Sequence, residues 1–165
     1  KGRLKGLKIT YVGDGNNNIC HSFIEGAAKL GVHLTIACPV GYEPNKVVLQ
    51  SMKHVAKTTG SLIEVINNPK DGVKDADVVV TDVWTSMGKE EETEIRLKTF
   101  SPYQVNDQLL ENAKEDYLFL HCLPAHRGEE VTASVIDGKN SVVFDEAENR
   151  LHAQKAILVA LMGEL

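Results

Sequence analysis

What most restricts the fold of this chain is an alternation. Short β-branched or aromatic runs, each closed by a turn, are separated by stretches of helical spacing. Lys8–Val12 (KITYV), His33–Ala37 (HLTIA), residues 62–66 (LIEVI), Val78–Thr81 (VVVT) and residues 117–121 (YLFLH) read as strands. VVVT is apolar enough to be covered on both faces. From Ile19, the residues Phe23, Ala27 and Leu30 fall at helical spacing, and Gly31 closes the helix as a C′ residue. Residues 45–59 put Val48, Met52 and Val55/Ala56 on one helical face before Gly60. Residues 69–75 read as a short helical turn, and 90–100, 106–113 and 131–136 as helices. Residues 142–144 read as a last short strand. Residues 146–161 read as a helix with Leu151, Leu158 and Leu161 on its apolar side.

Strands alternating with helices imply right-handed βαβ crossovers. The expected fold is α/β: a three-layer, doubly wound, Rossmann-like parallel sheet of about five strands with helices on both faces. In such sheets ligands bind outside the carboxyl ends of the strands, near the switch in strand order. That rule selects residues 13–22, 39–43, 82–88 and 121–128.

Composition narrows the partners. A net charge of −5 without a Lys/Arg cluster disfavours nucleic acid and anionic membrane. No apolar run approaches the roughly 20 residues that span a bilayer, and the basic start KGRLKGLKIT lacks the apolar stretch of a signal peptide. Three irregularly spaced cysteines argue for a reducing, cytoplasmic setting. A start at Lys1 rather than Met suggests a piece of a longer chain.

Four segments carry chemistry. Gly13-Asp14-Gly15-Asn16-Asn17-Asn18 follows a strand and opens a helix. It matches the first two glycines of a dinucleotide fingerprint, with Asn18 where the third glycine belongs. A Gly/Asn turn with Asn17 or Asn18 as N-cap explains the same residues, and neutral amides at a positive helix end also suit a carboxylate ligand. Asp82 leaves a strand where it could hold an ammonium. Ser86 and the amides before Gly88 could hold a carboxylate, although an Asp/Ser cap before a helix is the plainer reading. Cys122 stands at another strand end. It is either a small buried hydrophobe or half of a thiol–carboxylate pair with Asp82. Adjacent His121 and Cys122 should point to opposite faces, and no spacing resembles a zinc site, so no metal is expected. His126 and Arg127 read as a solvated loop. Arg150, early in the last helix, makes either a surface ion pair or a contact to a carbonyl or phosphate oxygen.

Taken together, GDGNNN (13–18), DVWTSMG (82–88), HCLPAHRGEEV (121–131) and FDEAENR (144–150) resemble the second, amino-acid-binding domain of the transcarbamylases, and the ornithine branch above all. The resemblance runs in order over essentially the whole chain. It implies residues 1–6 as the remnant of an interdomain connection and 7–165 as the ornithine-binding domain. It also implies the absence of the carbamoyl-phosphate domain, whose Ser-Thr-Arg-Thr-Arg loop does not occur. The implied reaction moves the carbamoyl group of carbamoyl phosphate to the δ-amine of ornithine without a cofactor, giving citrulline and phosphate. The implied site has Asn18 and the Met87 backbone on the α-carboxylate, Asp82 on the α-ammonium and Ser86 adding a hydrogen bond. Cys122 stands beside the δ-amine, and the Cys122 and Leu123 carbonyls meet the carbamoyl amine. Arg150 polarises the carbamoyl oxygen, a cis bond precedes Pro124, and the parent is a homotrimer or larger. Putrescine or an acylated ornithine as substrate, a non-catalytic amino-acid-binding module and half of a nicotinamide oxidoreductase remain as alternatives. Against the last, no acidic residue ends the second strand, where Ala37-Cys38-Pro39 stands.

Overall fold

The computed structural model describes residues 1–85 and 92–163. Five strands, β1 (Lys8–Val12), β2 (His33–Ala37), β3 (Ile63–Ile66), β4 (Val78–Thr81) and β5 (Leu118–His121), form one sheet in the order β3-β2-β1-β4-β5. Every pairing is parallel. The chain runs outward from β1 through β2 to β3, then crosses back to place β4 on the other side of β1. The switch in strand order therefore lies between β1 and β4, the position where this class of sheet opens a crevice. Thr81 Oγ1 donates to the Val12 carbonyl at 2.7 Å and ties the carboxyl ends of those two strands.

Side-chain caps set where the helices start. Asn17 accepts from Cys20 N to open α1 (Asn18–Leu30), and Gly31 closes it in the left-handed region at φ 69°. Asn45 caps α2 (Lys46–Thr59). Asn68 caps the short α3 (Pro69–Val73), with Pro69 in its first turn. α1 and α2 seal one face of the sheet through Ile24, Ala28, Leu34, Ile36 and Ala56. α3, with α5 (Asp107–Leu110) and α6 (Ala133–Ile136), seals the other through Val73, Val79, Leu109, Phe119 and Ile136. The three-layer expectation holds.

Two local expectations do not. Residues 142–144 are not a strand: α7 begins at Val143 and runs to Met162, and Ser141 makes only an isolated bridge to Phe119. A three-residue apolar run is too short for periodicity to separate strand from helix. The helix expected over 146–161 lies within α7, with Leu151, Leu158 and Leu161 53%, 55% and 78% exposed, so its apolar side is left largely open. Residues 106–113 contain only the four-residue α5, capped by Asn106. α4 (Thr93–Phe100) is described from Thr93, so the expected start near Glu90 lies outside the described residues.

Candidate active site

The crevice at the carboxyl edge is built from three turns. After β4, the Asp82 side chain is 7% exposed and ringed by donors. Its Oδ1 accepts from Val83 N at 2.8 Å and from Cys122 Sγ at 3.2 Å, and its Oδ2 accepts from Asn17 Nδ2 at 3.4 Å. That donor set suits an ionised carboxylate. The expected thiol–carboxylate pair is therefore present. Burial first, then the Asp82 charge and hydrogen bond, push the Cys122 thiol up to about 12. Cys122 thus holds its proton and donates it to Asp82.

Asn17, rather than Asn18, reaches Asp82. Its side chain is fully assigned, because Oδ1 accepts from Cys20 N at 2.8 Å and Nδ2 also donates to Tyr11 Oη at 2.8 Å. Asn18, the first residue of α1, instead faces a neighbouring cleft of about 480 Å³ together with Cys122, Leu123, Glu146 and Arg150. Four expected residues (Asn18, Cys122, Leu123 and Arg150) thus share one cleft whose wall continues to Asp82. Arg150 is exposed and makes no ion pair among the described residues. Ser86 and Met87 lie outside the described residues.

After β5 the chain turns sharply. Leu123 adopts a left-handed φ of 57°, and the Leu123–Pro124 bond is cis, as expected. Because the strand ends at His121, its ring and the Cys122 thiol do not diverge. Donor atoms of Asp82, His121 and Cys122 all lie within 4.8 Å of one another, contrary to the alternation argument. Such a trio has metal-ligand chemistry, yet each atom is engaged. His121 Nδ1 accepts from Leu123 N at 2.9 Å, so the ring proton sits on Nε2 and points to Glu130 Oε1 at 3.1 Å. Both residues of that pair are fully buried. A second donor group, His126, Glu129 and Glu130, lies on the following loop, where Glu130 Oε1 also accepts from His126 N at 2.6 Å. Arg127, expected in a solvated loop, is exposed and pairs with Asp137 at 2.9 and 2.7 Å.

Sequence reasoning missed the element that joins the turns. Arg96, on α4, is 2% exposed and ion-paired with Asp14, also 2% exposed. Its Nε donates to the Trp84 carbonyl at 2.6 Å, and its guanidinium lies over the Tyr42 and Phe100 rings at 5.1 and 5.2 Å. Asp14 in turn accepts from Asn16 N at 2.9 Å. One cation thereby links the turns after β1, β2 and β4. Nothing local marks it, for in the sequence it is an Arg between Ile95 and Leu97 on a helix that also carries Glu94 and Lys98.

The same turn argues against a dinucleotide. A Cβ on Gly15 would stand 2.7 Å from the Tyr42 carbonyl and 3.0 Å from Pro44 Cδ. The absence of a side chain there serves the close approach of the loop after β2, and Asp14 puts a buried carboxylate where a pyrophosphate would need donors.

Residues 5–161 match the family model described as aspartate/ornithine carbamoyltransferase, Asp/Orn binding domain. The chain is 57% identical over 163 residues to ornithine carbamoyltransferase of Pyrococcus horikoshii, covering 99% of this chain and 51% of that protein. It is 59% identical to the enzyme of the same description from Carboxydothermus hydrogenoformans, covering 99% and 52%. Among solved structures, ornithine carbamoyltransferase from Pyrococcus furiosus superposes with a TM-score of 0.94 at 54% identity, over 99% of this chain and 52% of that one. The chain spans about half the length of the curated relatives it matches.

Proposed function

This chain belongs to the aspartate/ornithine carbamoyltransferase family, and from that membership we propose that it is the ornithine-binding half of a carbamoyltransferase. The reaction is transfer of the carbamoyl group from carbamoyl phosphate to the δ-amine of ornithine, giving citrulline and phosphate. The observation that carries this reading is the Asp82–Cys122 pair at the switch point, at the rim of a cleft that also holds Asn18, Leu123 and Arg150. In the proposal Asn18, at the positive end of α1, takes the α-carboxylate with help from the Met87 backbone. Asp82 takes the α-ammonium, and Ser86 adds a hydrogen bond. Cys122 lies beside the δ-amine, and the carbonyls of Cys122 and Leu123 meet the carbamoyl amine. Arg150, free of any ion pair among the described residues, takes the carbamoyl oxygen.

The chemistry follows from charge. Only a neutral amine attacks, so the site must hold ornithine while its δ-ammonium loses a proton. A protonated Cys122 is not the base; it gives the Asp82 carboxylate a fixed donor. As charge develops on the carbamoyl oxygen, an Arg positioned there stabilises the tetrahedral species, a contact often worth about 3 kcal/mol. Alignment of the two reactants contributes roughly 7–11 kcal/mol more in such reactions.

Residues 1–6 are proposed as the end of an interdomain connection and 7–165 as the ornithine domain. Carbamoyl phosphate is then bound chiefly by the half of the relatives' length that this chain does not span. The parent is proposed as a cytoplasmic homotrimer or larger assembly. No helix among the described residues is long and apolar enough to cross a membrane. The test is the full-length enzyme, assayed with carbamoyl phosphate and, separately, ornithine, putrescine and an acylated ornithine. Citrulline from ornithine, lost in Asp82→Ala, is the expected result. Preference for putrescine, which lacks the α-carboxylate, or for the acylated ornithine, which lacks the free α-ammonium, would overturn the reading.

A further inference from the structure

A second carboxylate looks into the same cleft. Glu146 stands in the first turn of α7, half-buried, and among the described residues it is the one acidic side chain that lines the cleft beside Asn18, Cys122, Leu123 and Arg150. An acidic residue in a helix's first turn ordinarily faces water and complements the helix dipole. Glu146 instead turns toward β5, where its Oε2 accepts the His121 N–H at 3.0 Å. That bond fixes the side chain and leaves Oε1 without a partner among the described residues.

We propose that Glu146 recognises the side-chain ammonium of the amino-acid substrate, so that the cleft selects a diamino acid over an acidic one. The inference rests on the functional reading above and extends it to a residue outside that site. A diamino acid brings two cations to the cleft, at the two ends of its side chain. Asp82 answers one of them, and its two oxygens already take Val83, Cys122 and Asn17. The second cation needs its own counter-charge on the Cys122 side, and Glu146 supplies it there. Burial pushes the Glu146 carboxyl above the usual range, against the pull of the His121 N–H and ring, and the Asp82 charge adds to the rise. The charged form is therefore under-compensated in the empty cleft, and an incoming ammonium relieves it. An acidic side chain in the same place meets two carboxylates and is repelled.

A purely structural role, acceptance of the His121 N–H, is retained by glutamine, whose amide oxygen accepts equally well. Glu146→Gln therefore separates the two. In the full-length enzyme, citrulline formation gives the KM for L-ornithine, and L-norvaline, which has the same carbon chain without the side-chain amine, gives an inhibition constant. Loss of a charge-assisted contact is expected to raise the ornithine KM about tenfold or more. The norvaline constant is expected to stay within about twofold, with no change in the thermal midpoint. A wild-type ornithine KM in Glu146→Gln, or equal weakening of both ligands, overturns the assignment. A wild-type enzyme that makes no citrulline overturns the functional reading, and this assignment with it.

Discussion

Cys122 keeps its proton because of where it sits. Burial and the Asp82 carboxylate both disfavour the thiolate, and the thiol is held at about 12. Cys20 and Cys38 are fully buried, and burial raises them as well, so Cys122 is the accessible thiol. Alkylation by iodoacetamide should then climb about tenfold per pH unit from pH 7 to 9 without a plateau, since only the thiolate reacts. Asp82→Asn removes the negative charge that opposes ionisation, so the thiol pKa should fall and the rate at pH 8 should rise. A plateau below pH 9 in the wild type would contradict the geometry. Substitution of the thiol itself addresses its role. In the full-length enzyme Cys122→Ser should lower turnover at least about tenfold while costing less than about 1 kcal/mol of stability, because serine can still donate to Asp82. Sharp destabilisation with normal turnover would make Cys122 a packing residue.

At the scale of elements, the turns at the carboxyl edge are held by α4 rather than by the sheet. Arg96 reaches from that helix to Asp14 and the Trp84 carbonyl, in a pocket that excludes water. Breaking a buried pair from one side strands a charge, so Arg96→Met should cost roughly 3–5 kcal/mol in urea unfolding. Adding Asp14→Asn to that variant should recover part of the loss, because the stranded charge is removed while Asn can still accept from Asn16 N. Failure of the second change to recover anything would assign the cost to the lost packing over Tyr42 and Phe100. On the opposite face, α3 lies so close to the sheet that a Cβ on Gly72 would stand 2.9 Å from Ala37 Cβ and 3.2 Å from Ile66 Cδ1. Gly72→Val should therefore destabilise by about 1–3 kcal/mol through overpacking, read from the same unfolding curves.

For the whole molecule, two features pull apart. The sheet is sealed on both faces by α1–α3, α5 and α6, so the chain should fold alone. Beyond its first turn, however, α7 is exposed to its end, with Ile157 at 56% and Met162 at 80%. Under the half-enzyme reading this apolar face and the open cleft both meet the complementary half. The isolated chain should accordingly bind ornithine only weakly, because a solvated half-site screens the Asp82 ion pair, and it should form no citrulline. Trp84 is the only tryptophan in the chain; it is 3% exposed and stacks on Phe100 at 6.1 Å, two residues from Asp82. An ornithine titration followed by its fluorescence should show a shallow saturable change that Asp82→Ala removes. Tight binding by the isolated chain would refute the two-wall argument.

The sequence alone determined what depends on local chemistry and on order along the chain. Alternating β-branched runs and helical spacings imply a parallel doubly wound sheet, and Asn17, Asn45, Gly31 and Gly60 mark helix ends because caps act over a few residues. Asp82 and Cys122 were legible as site residues because each directly follows a strand, and the rule about carboxyl ends needs nothing more. The tertiary structure decided what depends on distance across the fold. It chose Asn17 over Asn18 as the cap of α1 and set it against Asp82, brought His121 and Cys122 to one side of the strand end, and showed that Gly15 is small for the sake of the Tyr42 loop. It buried Arg96, which stands between Ile95 and Leu97 on α4 and whose partner Asp14 lies 82 residues away in the chain. It also turned Glu146 from a helix-end charge into a wall of the cleft. No periodicity carries such contacts, because each is fixed only when separate crossovers bring their turns to the same edge.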